Sequence, residues 1–146
     1  MDNPHQKALA IFRSGANCAQ SVLTAFPEVT KFDNDQALAI SSGFGGGMGR
    51  LQETCGAATG AFMVIGINNS RKYADVDERK NKTNTMIQEF NQRFTALHKT
   101  TNCRQLLGVD LKTEEGRQMM QDKNLSELVC SKCISDSVKI LSELMK

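Results

Sequence analysis

Apolar residues recur at helical spacing along nearly the whole chain. Ala8, Ile11 and Phe12 follow Asp2-Asn3-Pro4, which predicts a helix with proline in its first turn and an end at Gly15. Ala19, Val22, Leu23 and Phe26 fall at i, i+3, i+4 and i+7, so a second helix is expected from about Asn17 to Phe26, stopped by Pro27. Asp33 or Asn34 can cap a third helix through Ala37, Leu38 and Ile40. A helix of small residues is expected from Glu53 to about Ile67. The longest helix is expected from about Asp75 to His98. Its first half is polar and points to solvent or a partner, and its second half carries a stripe of Met86, Ile87, Phe90, Phe94 and Leu97.

The C-terminal third continues the pattern. Asn102 to Gly108 predicts a short helix, and Thr113-Glu114-Glu115 starts another. A last helix holds Cys130 and Cys133 and then Ile134, Val138, Leu141 and Met145 on one face. No alternating strand pattern, hairpin turn or internal repeat interrupts this. The expected fold is an all-α, single-domain helical bundle of five to seven helices with a glycine-rich loop, spanning residues 1–146.

Composition narrows the function. With 18 Lys and Arg against 16 Asp and Glu, the net charge of +2 gives no bulk attraction for nucleic acid. Aromatic side chains are too scarce for base stacking. The apolar stretch from Cys55 to Ile67 is too short to span a membrane, which needs about 20 residues. The N-terminus lacks the pattern of a secretory signal, so a cytoplasmic protein with reduced thiols is expected. The count of five cysteines excludes a disulfide scaffold and complete intrachain pairing.

Those cysteines are the candidate chemistry. Cys130-Ser131-Lys132-Cys133 is a C-x-x-C pair, in which Lys132 favours thiolate. On a regular helix its Cβ atoms are about 5–6 Å apart, too far for a disulfide unless the pair sits at a helix start. Ile134 follows it where a c-type haem site has histidine. Cys18 and Cys103 also lie at expected helix starts, and Cys55 follows the glycine loop and precedes Gly56. The plain alternative is that all five serve as small core residues. His5 and His98 read as surface residues.

Gly43-Phe44-Gly45-Gly46-Gly47-Met48-Gly49-Arg50 is too glycine-rich for a helix interior. It matches neither a P-loop nor a dinucleotide fingerprint. Two readings stand: a sharp turn between packed helices, or a nest of N–H groups at Gly45, Gly46, Gly47 and Gly49 that cradles an anion or thiolate beside Arg50. Gly56 and Gly60, four apart, form a smooth face that another backbone or a cofactor can approach.

Taken in order, these segments resemble the C_GCAxxG_C_C family of redox-active proteins. The resemblance is carried by Asn17-Cys18-Ala19-Gln20, the glycine loop, Glu53-Thr54-Cys55-Gly56-Ala57-Ala58-Thr59-Gly60, Cys103-Arg104-Gln105-Leu106-Leu107-Gly108 and the C-terminal cysteine helix. It implies four key cysteines, assigned to Cys18, Cys55, Cys103 and Cys130, with Cys133 as an extra thiol. The activity it implies is thiol/disulfide exchange or electron transfer with a redox partner protein. The alternative is a non-catalytic module in which Cys18, Cys55, Cys103 and Cys130 ligate zinc or an iron–sulfur cluster. Their wide spacing is unlike that of zinc ribbons or bacterial ferredoxins. A homodimer is compatible with the polar half of the long helix and the seven methionines.

Overall fold

The computed structural model describes residues 3–146. Asp2, part of the expected first helix start, lies outside them. The described chain forms nine α-helices and no strand, more than the five to seven expected. The helix beyond the segments expected above is the single turn Pro27–Thr30, which hydrophobic periodicity does not resolve.

Local capping sets most of the boundaries. Helix α1 (Pro4–Arg13) is capped by Asn3, whose side chain accepts from the Gln6 amide. Asn17 and Gln20 form a reciprocal capping box at α2 (Cys18–Thr24), which ends two residues short of Phe26. Pro27 does not merely stop a helix: it occupies the first position of the single turn α3 (Pro27–Thr30). Asp33 and Gln36 box α4 (Asn34–Ser41), which runs into a 3-10 turn at Ser42–Phe44. Helix α5 (Gly56–Lys72) starts three residues later than Glu53 and runs five beyond Ile67.

That late start has a cause. Residues 53–55 run antiparallel to residues 101–103, bridged at Thr54 and Asn102. The Cys55 amide donates to the Thr101 carbonyl and the Cys103 amide to the Glu53 carbonyl, both at 2.7 Å. These residues spend their backbone groups across the chain and cannot spend them in a helix.

Helix α6 (Val76–His98) is capped by Asp75, as its polar first turn predicts. The short α7 (Cys103–Leu107) lies between Asn102 and a left-handed Gly108. Thr113 caps α8 (Glu114–Asp122). A π-helical turn at Ser126–Cys130 then passes without a break into α9 (Ser131–Leu144). The C-x-x-C pair therefore lies inside a continuous helix and not at its start.

Two apolar clusters result. The larger joins α1, α2, α5, α6 and α9 around Leu23, Ile65, Phe90, Phe94, Ile134 and Leu141, each fully buried. The smaller gathers Cys103, Leu107, Val109 and Leu111 with Met119, Met120 and Val129. Buried Gln52 pins this second cluster, donating to the Val109 carbonyl at 2.9 Å and accepting from the Leu111 amide at 2.8 Å. The closest helix packing is α2 on α5. A Cβ at Gly56 would lie 2.9 Å from the Ala19 nitrogen, and one at Gly60 would lie 2.9 Å from the Ala19 oxygen. The smooth face of Gly56 and Gly60 thus serves a neighbouring backbone.

No helix among the described residues is long and apolar enough to cross a membrane. The α2–α5 contact gives a paired test. Gly60→Ala is expected to cost about 1–3 kcal/mol through overpacking against the α2 backbone. Gly66→Ala, on the same helix with open space around it, is expected to gain about 0.5–1 kcal/mol. Thermal denaturation of the two variants should move the midpoint in opposite directions.

Candidate functional site

All five cysteines line one cavity of about 510 Å³ on the seam between the two apolar clusters. Its opposite wall is apolar and includes Phe12, Leu106, Leu107, Leu111 and Val129. Gly45, Gly46, Gly47, Gly49, Arg50 and Gly56 complete the lining, so every site residue expected from sequence borders this space. Exposed Ser42, Gly49, Arg50 and Ser126 mark the side open to solvent. All five thiols are free.

Each thiol is positioned by a different local device. Cys18 is the first residue of α2 and Cys55 the residue that leads into α5, and the glycine contact between those helices brings the two together. Cys103 is the first residue of α7 and is placed by the 53–55 pairing with 101–103. Cys130 and Cys133 project from the last helix. That helix is tied to the start of α5 by buried Ser137, whose hydroxyl donates to the Ala57 carbonyl at 2.7 Å.

The thiols are not equivalent. Hydrogen bonds from Cys133, and then from Cys18, hold the Cys55 thiol well below the ordinary range. Burial opposes this, and the backbone amides of Ala57 and Ala58 add to it. Donors and the N-terminal end of α5 thus favour thiolate at Cys55. Its neighbours carry the opposite shift. Cys18 is raised by its bonds to Cys130 and Cys55 and by burial. Cys133 is raised by its bond to Cys55, by burial and by nearby negative charge that includes Asp136. Cys103 is pushed up to about 12, chiefly by burial and then by the charges of Cys55 and Cys130, against a hydrogen bond from Gln52. Of the four shifted thiols, that of Cys55 is lowered and those of Cys18, Cys103 and Cys133 are raised.

This revises the expected roles. Cys133, read as an extra thiol, is a direct partner of Cys55, while Cys130 partners Cys18. Cys103 stands apart from the hydrogen-bonded group and feels it only as charge.

The glycine loop has an unusual backbone. Gly46, Gly47, Met48, Gly49 and Arg50 have φ of 63°, 68°, 67°, 61° and 61°, a continuous left-handed run. The amides of Met48, Arg50, Leu51, Gln52 and Glu53 are donated to carbonyls of the same loop. These bonds tie the loop to itself through amides other than those of Gly45, Gly46, Gly47 and Gly49. Glycine is needed here for the left-handed backbone, and at Gly47 also because a Cβ would lie 2.7 Å from that of Cys103. Met48 and Arg50 hold the same conformation at a cost of about 1–2 kcal/mol each.

The metal reading does not fit this geometry. Among the described residues no group of three or more His, Cys, Asp or Glu side chains is arranged to hold one ion.

His98 was read as a surface residue, and the structure corrects this. Its side chain is 14% exposed, its ring lies 4.6 Å from that of Phe94, and its Nδ1 is 4.0 Å from the Cys133 sulfur. The available signal was the i, i+4 series Phe90, Phe94, His98. Leu97, assigned to that stripe, is exposed instead.

A family model described as "Putative redox-active protein (C_GCAxxG_C_C)" matches residues 16–144. No curated protein and no solved structure matches the chain.

The shift at Cys103 sets a pH dependence. A thiol raised from about 8.5 in the unfolded chain to about 12 when folded favours the native state below the unfolded value. That contribution is lost as pH rises from about 9 towards about 12. Urea denaturation at neutral and alkaline pH should show the wild type losing stability more steeply than Cys103→Ala.

Proposed function

The chain belongs to the C_GCAxxG_C_C family, and on that premise we propose that it performs thiol–disulfide exchange with Cys55 as the attacking thiolate. One observation carries the reading: all five thiols line one accessible cavity, where Cys133 and Cys18 lower the pKa of Cys55. A thiolate attacks and a thiol does not, so the pattern separates attacker from reserve.

The chemistry balances with a disulfide as the other reactant. Cys55 thiolate attacks one sulfur of the incoming disulfide, forms a mixed disulfide and releases a thiolate. A neighbouring thiol loses its proton and attacks the Cys55 sulfur. That step forms an intramolecular disulfide and releases the second thiolate. The protein loses two electrons and the incoming disulfide gains them. A dithiol reductant reverses the change. The apolar wall formed by Phe12, Leu106, Leu107 and Leu111 suits a disulfide with an apolar body, and exposed Arg50 at the opening suits an acidic group near it. The left-handed loop is held by its own hydrogen bonds, so the part of the lining it supplies is formed before anything enters.

The test is disulfide mapping by mass spectrometry after equilibration in thiol redox buffers. One intramolecular disulfide that includes Cys55 is expected, with Cys133 or Cys18 as its partner. Cys55→Ser should abolish it and lower the rate of reduction of a small disulfide at neutral pH by about a hundredfold or more. Five free thiols across the cytosolic potential range, or an undiminished rate in Cys55→Ser, would overturn the proposal.

A further inference from the structure

We infer that His98, oriented by Asp136, accepts the proton of Cys133 and passes it to solvent, so that Cys133 is the thiol that closes the disulfide with Cys55. The inference rests on the exchange reading above and deepens it by naming the resolving thiol and its base.

The geometry is that of a nucleophile, a base and an orienting group. His98 Nδ1 lies 4.0 Å from the Cys133 sulfur, and His98 Nε2 lies 2.9 Å from Asp136 Oδ2. A carboxylate on Nε2 holds the proton there and leaves the Nδ1 lone pair facing the thiol. Asp136 follows Cys133 by three residues on α9, so both reach the imidazole from one helix face. The ring is clamped from the other side by Phe94.

The position explains why a base is needed. Cys133 is only 1% exposed, and the imidazole is placed to take its proton more readily than bulk water. His98 also lines a second, separate surface hollow with Lys99, Gln105 and Lys132. Leu106 and Val129 border both that hollow and the thiol cavity and form the wall between them. The imidazole crosses this wall. It receives the proton on the side of the thiol and delivers it on the side of the surface hollow. The ionisable groups facing it are Cys133, Asp136 and Lys132 on α9 and Lys99 just beyond α6.

The steps balance. Cys55 carries the mixed disulfide after the first thiolate has left. Cys133–SH gives its proton to His98 Nδ1, and the resulting thiolate attacks the Cys55 sulfur. The Cys55–Cys133 bond forms, the bond to the substrate sulfur breaks, and the second thiolate leaves with the electron pair. His98 then releases its proton through the surface hollow.

The test is rapid mixing of the reduced protein with an aromatic disulfide whose released thiolate is coloured. The wild type should show two releases, the first from attack by Cys55 and the second from resolution. In His98→Gln the first release should keep its rate and the second should slow by about a hundredfold. In that variant the second rate should rise only at alkaline pH, with the thiol itself. Asp136→Asn, a milder change, should slow the second release less than His98→Gln. Free imidazole should restore the second release in His98→Ala, a readout that a purely structural role would not move. A second release unchanged in His98→Gln, or slowing of both releases alike without imidazole rescue in His98→Ala, would overturn the relay alone. No first release in the wild type would overturn the exchange reading itself.

Discussion

The structure depends on how closely the backbone of α2 lies on α5. Gly56 and Gly60 present no side chain to Ala19, and a Cβ at either would come within 2.9 Å of α2 backbone atoms. The same contact sets Cys18, at the start of α2, against Cys55, at the start of α5. A wider helix separation would fill with side chains and part the two sulfurs. Packing and chemistry therefore share one constraint, and glycine is required for both.

Around that contact, long-range hydrogen bonds bring in the remaining sulfurs. The 53–55 pairing with 101–103 supplies Cys103, and Ser137 anchors the helix that carries Cys130 and Cys133. Gln52 sits where these ties meet. It holds a left-handed backbone at φ 57° and spends its buried amide on Val109 and Leu111. The backbone strain of the loop is offset by these bonds and confined to the wall of the site. Electrostatics then favours one charge. Several thiolates in one apolar cavity repel, and the Cys55 thiol is lowered while those of Cys18 and Cys133 are raised.

The sequence made the helices legible wherever their signals were local. Asn3, Asn17, Asp33, Asp75, Asn102 and Thr113 each cap the helix expected behind them, because a cap acts within three residues. The five cysteines and the glycines at Gly45, Gly46, Gly47, Gly49 and Gly56 were legible as a group, and they share one cavity. What stayed hidden depends on contacts between distant segments. The delayed start of α5 comes from a bridge to Asn102, and the partnering of Cys133 with Cys55 comes from a helix some 80 residues away, tied through Ser137 to Ala57. The π turn that carries Cys130 has no periodic signature of its own. His98 lies on the Phe90–Phe94 stripe, yet its value as a base rests on Asp136 and Cys133 across the helix packing.

We propose above all that this architecture favours thiolate at Cys55 over its neighbours Cys18 and Cys133. Ultraviolet thiolate absorbance followed against pH, in the wild type and in Cys55→Ser, tests it most directly. The account predicts one thiolate that titrates well below the ordinary thiol value of about 8.5 and is missing from Cys55→Ser. Titration of every thiol above that value, or a low-pH thiolate that persists in Cys55→Ser, would contradict it.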